Sequence, residues 1–190
     1  GWIKLLRDHK TDISSILSAM DDDVLRLSEI SERFSKIGSN PKLNTIRIYD
    51  LISESVDYMQ NRLPVNSKIA ITLNVNRDIK IQGDWILLSW AIENILKNAI
   101  DAIGIGDGNI TINLISAKQY SSILITDSGK GIPRKDWKNI FRPGFSSKHR
   151  SWGLGLSLAM RIIKEMHKGN IRVSKSNPGE TKLQIKLPIK

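Results

Sequence analysis

The chain has 190 residues, of which 40% are hydrophobic, enough for one compact domain with a smaller element or for two small domains. It contains no cysteine, which excludes disulfides and thiolate metal sites. No apolar run reaches the ~20 residues that a membrane-spanning helix needs. The formal net charge of +10 fits three kinds of anionic partner: nucleic acid, an acidic protein or a polyanionic small molecule. Because the basic residues are scattered, without zinc-finger spacing or aromatic interleaving, no nucleic-acid partner is expected.

Residues 1–40 have the pattern of a helix. Their apolar residues recur at spacings of three, four or seven: Met20, Leu27, Ile30, Phe34 and Ile37. Gly38 and Pro41 are expected to end this helix. The pattern predicts part of a helical hairpin or a dimerising bundle, although a plain packing helix would show it too. The sequence opens as GWIKLLRDHK, without an initiator methionine or a signal peptide, which we interpret as a fragment or a processed chain.

Beyond Lys42 the pattern alternates between helices and strands. Helices are predicted for 46–63, for the segment after Gly83 and Asp84, and for 153–167. Strands are predicted for 68–75, 109–116, 121–129, 170–176 and 181–189. The strands at 109–116 and 121–129 are expected to be antiparallel neighbours. The sequence therefore predicts an α+β fold, a two-layer sandwich of helices on a sheet.

The helix that contains SWAIENILKNAIDAIG (89–104) carries two asparagines one turn apart, Asn94 and Asn98. At about 100° per residue, its apolar face comprises Leu88, Ile92, Ile95, Leu96, Ala99 and Ile103. Its opposite face comprises Glu93, Lys97 and Asp101. The asparagines lie on the seam between these faces. They either mark the edge of a solvated face or present carboxamide oxygens to a hard cation such as Mg²⁺. The helix alone does not decide between the two.

Two glycine clusters follow. ILITDSGKGIP places Asp127 where a strand ends, with Gly129 and Gly131 after it. A carboxylate there can accept a hydrogen bond from an exocyclic amine, and the glycines let a ligand approach the backbone, but ordinary turns use the same residues. SWGLGLSLAM places Gly153 and Gly155 at a helix start, which suits phosphate. A loop that simply leads into a packed helix would look alike.

The segment between these clusters, RKDWKNIFRPGFSSKHR (134–150), is too long for a simple turn. It carries cations at Arg142, Lys148 and Arg150, and Phe141 and Phe145 as apolar anchors. Long loops inside compact domains often cover functional sites. Near the end of this one, hydroxyls and a positive charge could reach a phosphate chain, from Ser146, Ser147 and Lys148.

The order of these motifs resembles the ATP-binding domain of sensor histidine kinases, within the gyrase, chaperone, kinase and mismatch-repair ATPase superfamily. ENILKNAIDA resembles the asparagine box of that family, and DSGKGIP its first glycine box. IFRPGFSSK resembles its phenylalanine box, and WGLGLSL its second glycine box. PGETKLQIKLP resembles its closing strand, with Gly179 and Thr181 in a Gly-x-Thr arrangement. The resemblance covers about residues 45 to 190.

The resemblance implies a Bergerat-type two-layer α/β sandwich for residues 41–190, preceded by a partial dimerisation and phosphotransfer hairpin in residues 1–40. It also implies ATP and Mg²⁺ as cofactors, with the metal on Asn98 and Asn94. The nucleotide-binding residues that it implies are Asn94, Lys97, Asn98, Asp127, Gly129, Gly131, Ile132, Ser146, Ser147, Lys148, Gly153, Leu154, Gly155, Leu156 and Thr181. Glu93 matches the acidic position proposed to polarise a nucleophile. Lys97 either reaches a phosphate or lies exposed.

The activity implied by the resemblance is transfer of the γ-phosphoryl group of ATP to a histidine on the hairpin, and from there to an aspartate of a response-regulator receiver domain. The family's acceptor histidine is normally followed by an acidic residue and, soon after, a proline. His9, His149 and His167 do not match this pattern, so the acceptor is expected just upstream of Gly1. The whole protein is expected to be a homodimer, with this part cytoplasmic and any anchoring in the bacterial inner membrane left to other segments.

Besides a basic nucleic-acid binder, which would have to show salt-dependent binding to a duplex, two alternatives stay open. The first is another ATPase or a serine kinase of the same superfamily, such as an anti-sigma-factor kinase, although these usually lack a long helical segment before the ATP-binding domain. The second is a non-catalytic module that uses nucleotide to gate a helical interaction surface.

Overall fold

The computed structural model describes residues 41–63, 67–75, 79–145 and 153–189, together with scattered positions between Ser14 and Lys36. The chain divides into two compact units, Gly1–Asn40 and Pro41–Lys190. The described positions of the first unit are helical. Within the described residues, no helix combines the length and apolarity needed to cross a membrane. The predicted hairpin role of residues 1–40 stays a prediction.

The second unit contains seven strands and three helices among its described residues. In chain order they are β1 (Asn44–Arg47), α1 (Ile48–Gln60), β2 (Lys68–Val75), β3 (Lys80–Gly83), α2 (Trp85–Ile103), β4 (Asp107–Ser116), β5 (Tyr120–Asp127), α3 (Gly155–Arg161), β6 (Asn170–Asn177) and β7 (Glu180–Pro188). Two short 3₁₀ turns, Arg134–Asp136 and Asn139–Phe141, follow β5, and α3 continues as a π turn over Ile162–Met166.

The main sheet has the order β2-β4-β5-β7-β6. β2 and β4 are parallel, whereas the other neighbours are antiparallel. The predicted antiparallel pairing of β4 with β5 is confirmed, with Ile112 opposite Ile125. The parallel pairing of β2 with β4 follows from the connection between them, because the chain passes through β3 and α2 before it returns beside β2.

The sequence interpretation that started the first helix of this unit at Ile46 is also wrong. Residues Asn44–Arg47 form β1, which pairs with β3 in a separate two-stranded sheet. Ile46 lies opposite Ile81 in this pairing, and both are buried. The backbone N–H of Ile48 then donates to the carbonyl of Ile79 at 2.9 Å, so the helix starts two residues later.

One face of the main sheet is covered by helices. Its buried residues alternate along the strands, as period-two burial requires, and the sheet and α2 together contribute Ile110, Ile112, Leu114, Ile123, Ile125, Leu183, Ile185, Leu187, Leu88, Ile92, Ile95, Leu96 and Ala99 to the core. The opposite face is polar, for example at Asn74, whose Nδ2 donates to Asn113 Oδ1 at 3.3 Å. The predicted two-layer α+β sandwich is therefore confirmed.

Candidate functional site

A cavity of about 990 Å³ opens between α2, the loop after β5 and the start of α3. Its lining includes nine residues that the sequence analysis proposed: Asn94, Lys97, Asn98, Gly131, Ile132, Gly153, Leu154, Gly155 and Leu156. Segments that are far apart in the sequence thus contribute to one site. Ser146, Ser147 and Lys148, like His9 and His149, lie outside the described residues, so their predicted roles stay predictions.

The amide of Asn94 is oriented by its own helix. Its Nδ2 donates to the carbonyl of Trp90 at 2.9 Å, which leaves Oδ1 facing the start of α3. A Cβ on Gly155 would lie 2.9 Å from that oxygen. Glycine at position 155 therefore allows α3 to begin directly against the asparagine.

The side-chain amide oxygens of Asn94 and Asn98 on α2 are suitable ligands for a hard cation that also binds a small molecule. Asn98 lies one turn beyond Asn94 and lines the same cavity. Mg²⁺ commonly takes one or two protein oxygens and completes its shell with phosphate oxygens and water. Within the described part of the chain, no group of three His, Cys, Asp or Glu side chains could hold a metal by itself. A cation here would therefore depend on the asparagine amides and on the ligand.

Asp127 ends β5 and is buried at 4% exposure. Burial raises the pKa of its carboxyl above the usual value, and the hydrogen bond that Oδ1 accepts from the Gly129 N–H at 2.9 Å opposes this shift. A further hydrogen-bond donor would stabilise the ionised form of this buried carboxylate strongly. Such a donor could be an amine of a bound ligand.

The neighbours of Asp127 connect it with the cavity. On β7, Thr181 lies opposite Asp127, and its Oγ1 is 2.9 Å from Ser176 Oγ. Ser176 Oγ also accepts from the backbone N–H of Ile132 at 2.7 Å. Ser176 and Ile132 line the cavity, whereas Asp127, Gly129 and Thr181 lie next to it.

The loop after β5 is held between α2 and the β6–β7 turn. The N–H of Lys130 donates to the carbonyl of Ala102 at 3.1 Å, and the N–H of Gly179 donates to the carbonyl of Gly129 at 2.8 Å. A Cβ on Gly129 would lie 2.7 Å from Ala102. Gly131 has φ +82, and a Cβ there would lie 2.8 Å from the carbonyl carbon of Asn177. Glycine at positions 129 and 131 thus allows neighbouring protein backbone to approach closely, and Gly131 also lines the cavity.

The start of α3 is joined to the segment that resembles the phenylalanine box. Gly153 has φ +64, and a Cβ there would lie 2.7 Å from the carbonyl oxygen of Phe145. The N–H of Gly144 donates to the carbonyl of Gly153 at 3.2 Å. Phe141 is buried, in agreement with its predicted anchoring role, while Phe145 is 37% exposed and lines the cavity.

Glu93 is buried, although the helical wheel places it on the polar face of α2. The sequence placed it with Lys97 and Asp101, yet it is only 9% exposed. The reason is that α1 and α3 both pack against α2, so the N-terminal half of α2 is covered on more than one side. Glu93 is not among the residues that line the cavity.

Lys97 lies exposed at the rim of the cavity. Its Nζ is 3.7 Å from Asp101 Oδ2, and 68% of its side chain is accessible. An exposed pair of this kind contributes roughly 0.3–0.5 kcal/mol, so it does not fix the lysine in place. Lys97 is therefore exposed, and a contact between Lys97 and a phosphate stays a prediction.

The sequence reasoning missed part of the lining. The additional residues include Asp101, Ala102, Lys130, Pro133, Arg134, Asp136, Ile140, Ser176, Asn177 and Pro178. Lys130 lies within the motif DSGKGIP, and Arg134 directly follows it. The positive charge of these two residues beside the glycines could have indicated that they belong to the site. Arg134 stacks on the Trp137 ring at 3.9 Å, and Trp137 Nε1 donates to the Ile132 carbonyl at 3.0 Å. Residues 176–178 carry no local signal, because only the β6–β7 pairing brings them here.

Comparison with known proteins identifies the family. Residues 83–190 match the family described as histidine kinase-, DNA gyrase B-, and HSP90-like ATPase. Sporulation kinase C of Bacillus subtilis (strain 168) is 26% identical over 194 residues, which is 100% of this chain and 45% of that protein. The chain thus spans less than half of the length of this relative.

Solved structures share the fold. The catalytic domain of histidine kinase ThkA aligns with a TM-score of 0.71 at 23% identity, over 78% of this chain and 96% of that one. Histidine kinase ThkA in complex with the response regulator protein TrrA aligns with a TM-score of 0.70 at 20% identity, over 100% of this chain and 56% of that one. The match over residues 83–190, which contain the cavity walls, shows that this chain belongs to the histidine kinase-, DNA gyrase B- and HSP90-like ATPase family.

Proposed function

We propose that this chain is the catalytic part of a sensor histidine kinase, which binds Mg-ATP in the 990 Å³ cavity and donates its γ-phosphoryl group to a protein histidine. One observation carries the proposal. Asn94 Oδ1 contacts Gly155 at a cavity, and the opposite wall of this cavity is the loop after Asp127. Family membership supports the ATPase class, and this arrangement supports the positions proposed below for the parts of the nucleotide.

The adenine would bind beside Asp127. Oδ1 of Asp127 already accepts from the Gly129 N–H, so the exocyclic amine of the base would donate to Oδ2. A hydrogen bond to a buried charged acceptor contributes about 1.5–3 kcal/mol. Ile132, Gly131 and Thr181 would complete the surroundings of the base from the same side of the cavity.

The phosphates would bind between α2 and the start of α3. Asn94 and Asn98 would hold Mg²⁺, which when bound neutralises phosphate charge and links the phosphate oxygens to the protein. The backbone N–H groups of residues 153–156, at and before the start of α3, would donate to phosphate oxygens. Ser146, Ser147, Lys148 and Lys97 are further proposed phosphate ligands.

Phosphoryl transfer needs little covalent participation from the protein, so positioning and charge neutralisation would carry most of the catalysis. Glu93 would polarise the attacking imidazole. Because Glu93 is buried beside Asn94 and outside the cavity wall, this role requires the acceptor histidine to approach α2 from that side. His167 is not the acceptor, since it is 4% exposed and each of its ring nitrogens has a backbone partner.

The partner that would receive the phosphoryl group from the histidine is a response-regulator receiver domain. Receiver domains present an acidic pocket, which the net charge of +10 complements. Support also comes from the similar fold of ThkA, which forms a complex with a response regulator. Residues 1–40 would belong to the dimerisation hairpin of a homodimeric whole protein, with this part in the cytoplasm.

Calorimetric titration of ADP and of a non-hydrolysable ATP analogue, with and without Mg²⁺, tests the binding site. We expect magnesium-dependent binding that is lost in Asn98→Ala and weakened in Asp127→Asn. Asn74→Ala is the matched control, because Asn74 lies on the polar face of the sheet, away from the cavity. A folded chain that binds neither nucleotide would refute the proposal.

Incubation with γ-labelled ATP tests the transfer reaction. The chain alone should not label itself, whereas a separately supplied hairpin with an acceptor histidine should become labelled. Labelling of His9 would contradict the expected position of the acceptor. Steady release of inorganic phosphate with no labelled hairpin would favour the ATPase alternative.

A further inference from the structure

Helices α2 and α3 run antiparallel and meet at two places. At the cavity, Asn94 of α2 lies against Gly155, the first residue of α3. At the other end, Asp84 before α2 lies against His167, which follows the π turn that continues α3. Asp84 lies about 15 Å along the helix axis from Asn94, at 1.5 Å per residue. The α3 segment that carries the proposed phosphate site therefore contacts α2 near both of its own ends, once at the start of α2 and once at its middle.

The far contact requires one particular form of His167. Its Nε2 accepts from the backbone N–H of Asp84 at 3.0 Å, and its Nδ1 lies 2.9 Å from the carbonyl oxygen of Ile162. A backbone N–H can only donate and a carbonyl can only accept. The ring must therefore be neutral, with its proton on Nδ1 and a lone pair on Nε2.

The surroundings of His167 favour this neutral form. Burial lowers the pKa of the ring, which outweighs the opposing effects of the Ile162 carbonyl and the Asp84 carboxylate. The Asp84 carboxylate is itself occupied as the cap of α2, where it accepts from the N–H groups of Leu87 and Lys42.

Among the described charged groups, the Asp84 carboxylate is the one that acts on the ring. On β3, the neighbour of the ring is Gly83, which has no side chain to titrate. The charged side chains next to His167 in the sequence bond to groups other than the ring. Lys168 Nζ donates to the Glu165 carbonyl, and the Glu165 carboxylate pairs with Arg161.

We infer that neutral His167 is a positioning residue that holds α3 against α2 in the arrangement that the nucleotide cavity requires; this inference rests on the proposed function. Protonation would place an N–H at Nε2 against the N–H of Asp84, so that two donors face each other. The far contact would then be lost, and the position of α3 against Asn94 would be less firmly held. Nucleotide affinity should fall with it.

Two amide substitutions separate the two hydrogen bonds of the ring. In His167→Gln, the side-chain amide can occupy the position of Nε2 and accept from Asp84, and it cannot be protonated. In His167→Asn, the shorter amide can occupy only the position of Nδ1, so the contact with Asp84 is lost. The affinity of each for a fluorescent ADP analogue with Mg²⁺ should be measured from pH 8 to pH 5, with folding checked by circular dichroism under each condition.

At pH 8 we expect His167→Gln to bind like the wild type and His167→Asn to bind roughly fivefold more weakly or worse, at the low end of typical coupling between sites. Towards pH 5 the wild type should lose affinity relative to His167→Gln. Protonation of the ligand and of other protein groups is common to both proteins, so their ratio isolates His167. Nitrogen NMR of the ring at pH 8 should show the proton on Nδ1.

Folded His167→Asn that binds as tightly as the wild type would overturn the inference. If His167→Asn does not fold, a wild type whose affinity follows that of His167→Gln at every pH while NMR shows the ring protonating would overturn it as well. Absence of binding by the wild type at pH 8 would instead refute the proposed function.

Discussion

Asn94 Oδ1 lies directly against Gly155, so that a methyl group on Gly155 would be only 2.9 Å from this oxygen. The contact joins the helix with the asparagines to the helix with the second glycine pair. Because the atom that must yield is the end of a side chain, the fold can accommodate the methyl group, but the amide cannot stay where it is.

Gly155→Ala should therefore fold with a stability close to that of the wild type and bind Mg-nucleotide at least tenfold more weakly, a loss of about 1.4 kcal/mol. Calorimetry gives the affinity and urea unfolding the stability. In an Asn94→Ala background the same substitution should cost much less, because the displaced group is already gone. Additive losses in the double variant would contradict this explanation.

Asp127→Asn should raise stability at neutral pH and weaken nucleotide binding. The folded pKa of Asp127 lies above its usual value of 3.8, so the folded state binds a proton more tightly than the unfolded state does. Stability due to this group is present at low pH and is lost as the pH rises through the folded pKa. Asparagine avoids the buried charge and keeps an acceptor for the Gly129 N–H.

The urea midpoint of Asp127→Asn should therefore exceed that of the wild type at pH 7, and the difference should shrink towards pH 4. Adenine nucleotide affinity should fall roughly 10- to 100-fold, the effect of losing a hydrogen bond to a charged group. A lower midpoint at pH 7 would show that burial of the carboxylate does not oppose folding.

Gly131→Ala should destabilise the domain more than Gly179→Ala. Both glycines have positive φ, +82 and +87, so alanine costs about 1–2 kcal/mol at each for backbone conformation. Only at Gly131 would the added methyl group also meet backbone, at 2.8 Å from Asn177, whereas the space around Gly179 is open. Urea unfolding measures both variants. Equal losses would mean that the loop after β5 can move away from the β6–β7 turn.

Glu93→Gln should separate catalysis from binding. Glu93 does not line the cavity, so the affinity for Mg-nucleotide should stay within about twofold of the wild type. Phosphoryl transfer to a supplied hairpin should slow by roughly 100-fold or more, as expected for loss of a general base. An unchanged transfer rate would remove Glu93 from the catalytic residues and leave it as a buried structural carboxylate.

The parts of the fold that could be predicted from the sequence are those with a local signal. The period-two alternation in residues 109–116 predicts β4, and the 3.6-residue pattern around Asn94 predicts α2. By contrast, β1 and β3 are four residues each and are stabilised by pairing with each other across more than thirty residues of chain, so neither shows a pattern that stands alone.

The lining of the cavity was predictable to the same extent. Asn94 and Gly155 belong to separate motifs that could each be recognised, and the structure brings them into contact. The burial of Glu93 could not be predicted from α2 alone, because it depends on how α1 and α3 flank that helix. Asn177 joins the cavity through the register of β6 with β7, which is a property of the whole sheet.

The loop after β5 is bonded on one side to Ala102 and on the other to Gly179. The amide hydrogens of Lys130 in this loop and of Gly179 in the β6–β7 turn are thus both hydrogen-bonded, and they should exchange with solvent only when the loop separates from α2 or from that turn. The part of the cavity proposed for the base is therefore held by backbone hydrogen bonds on two sides, so a purine that enters it would have less of the receiving loop to order.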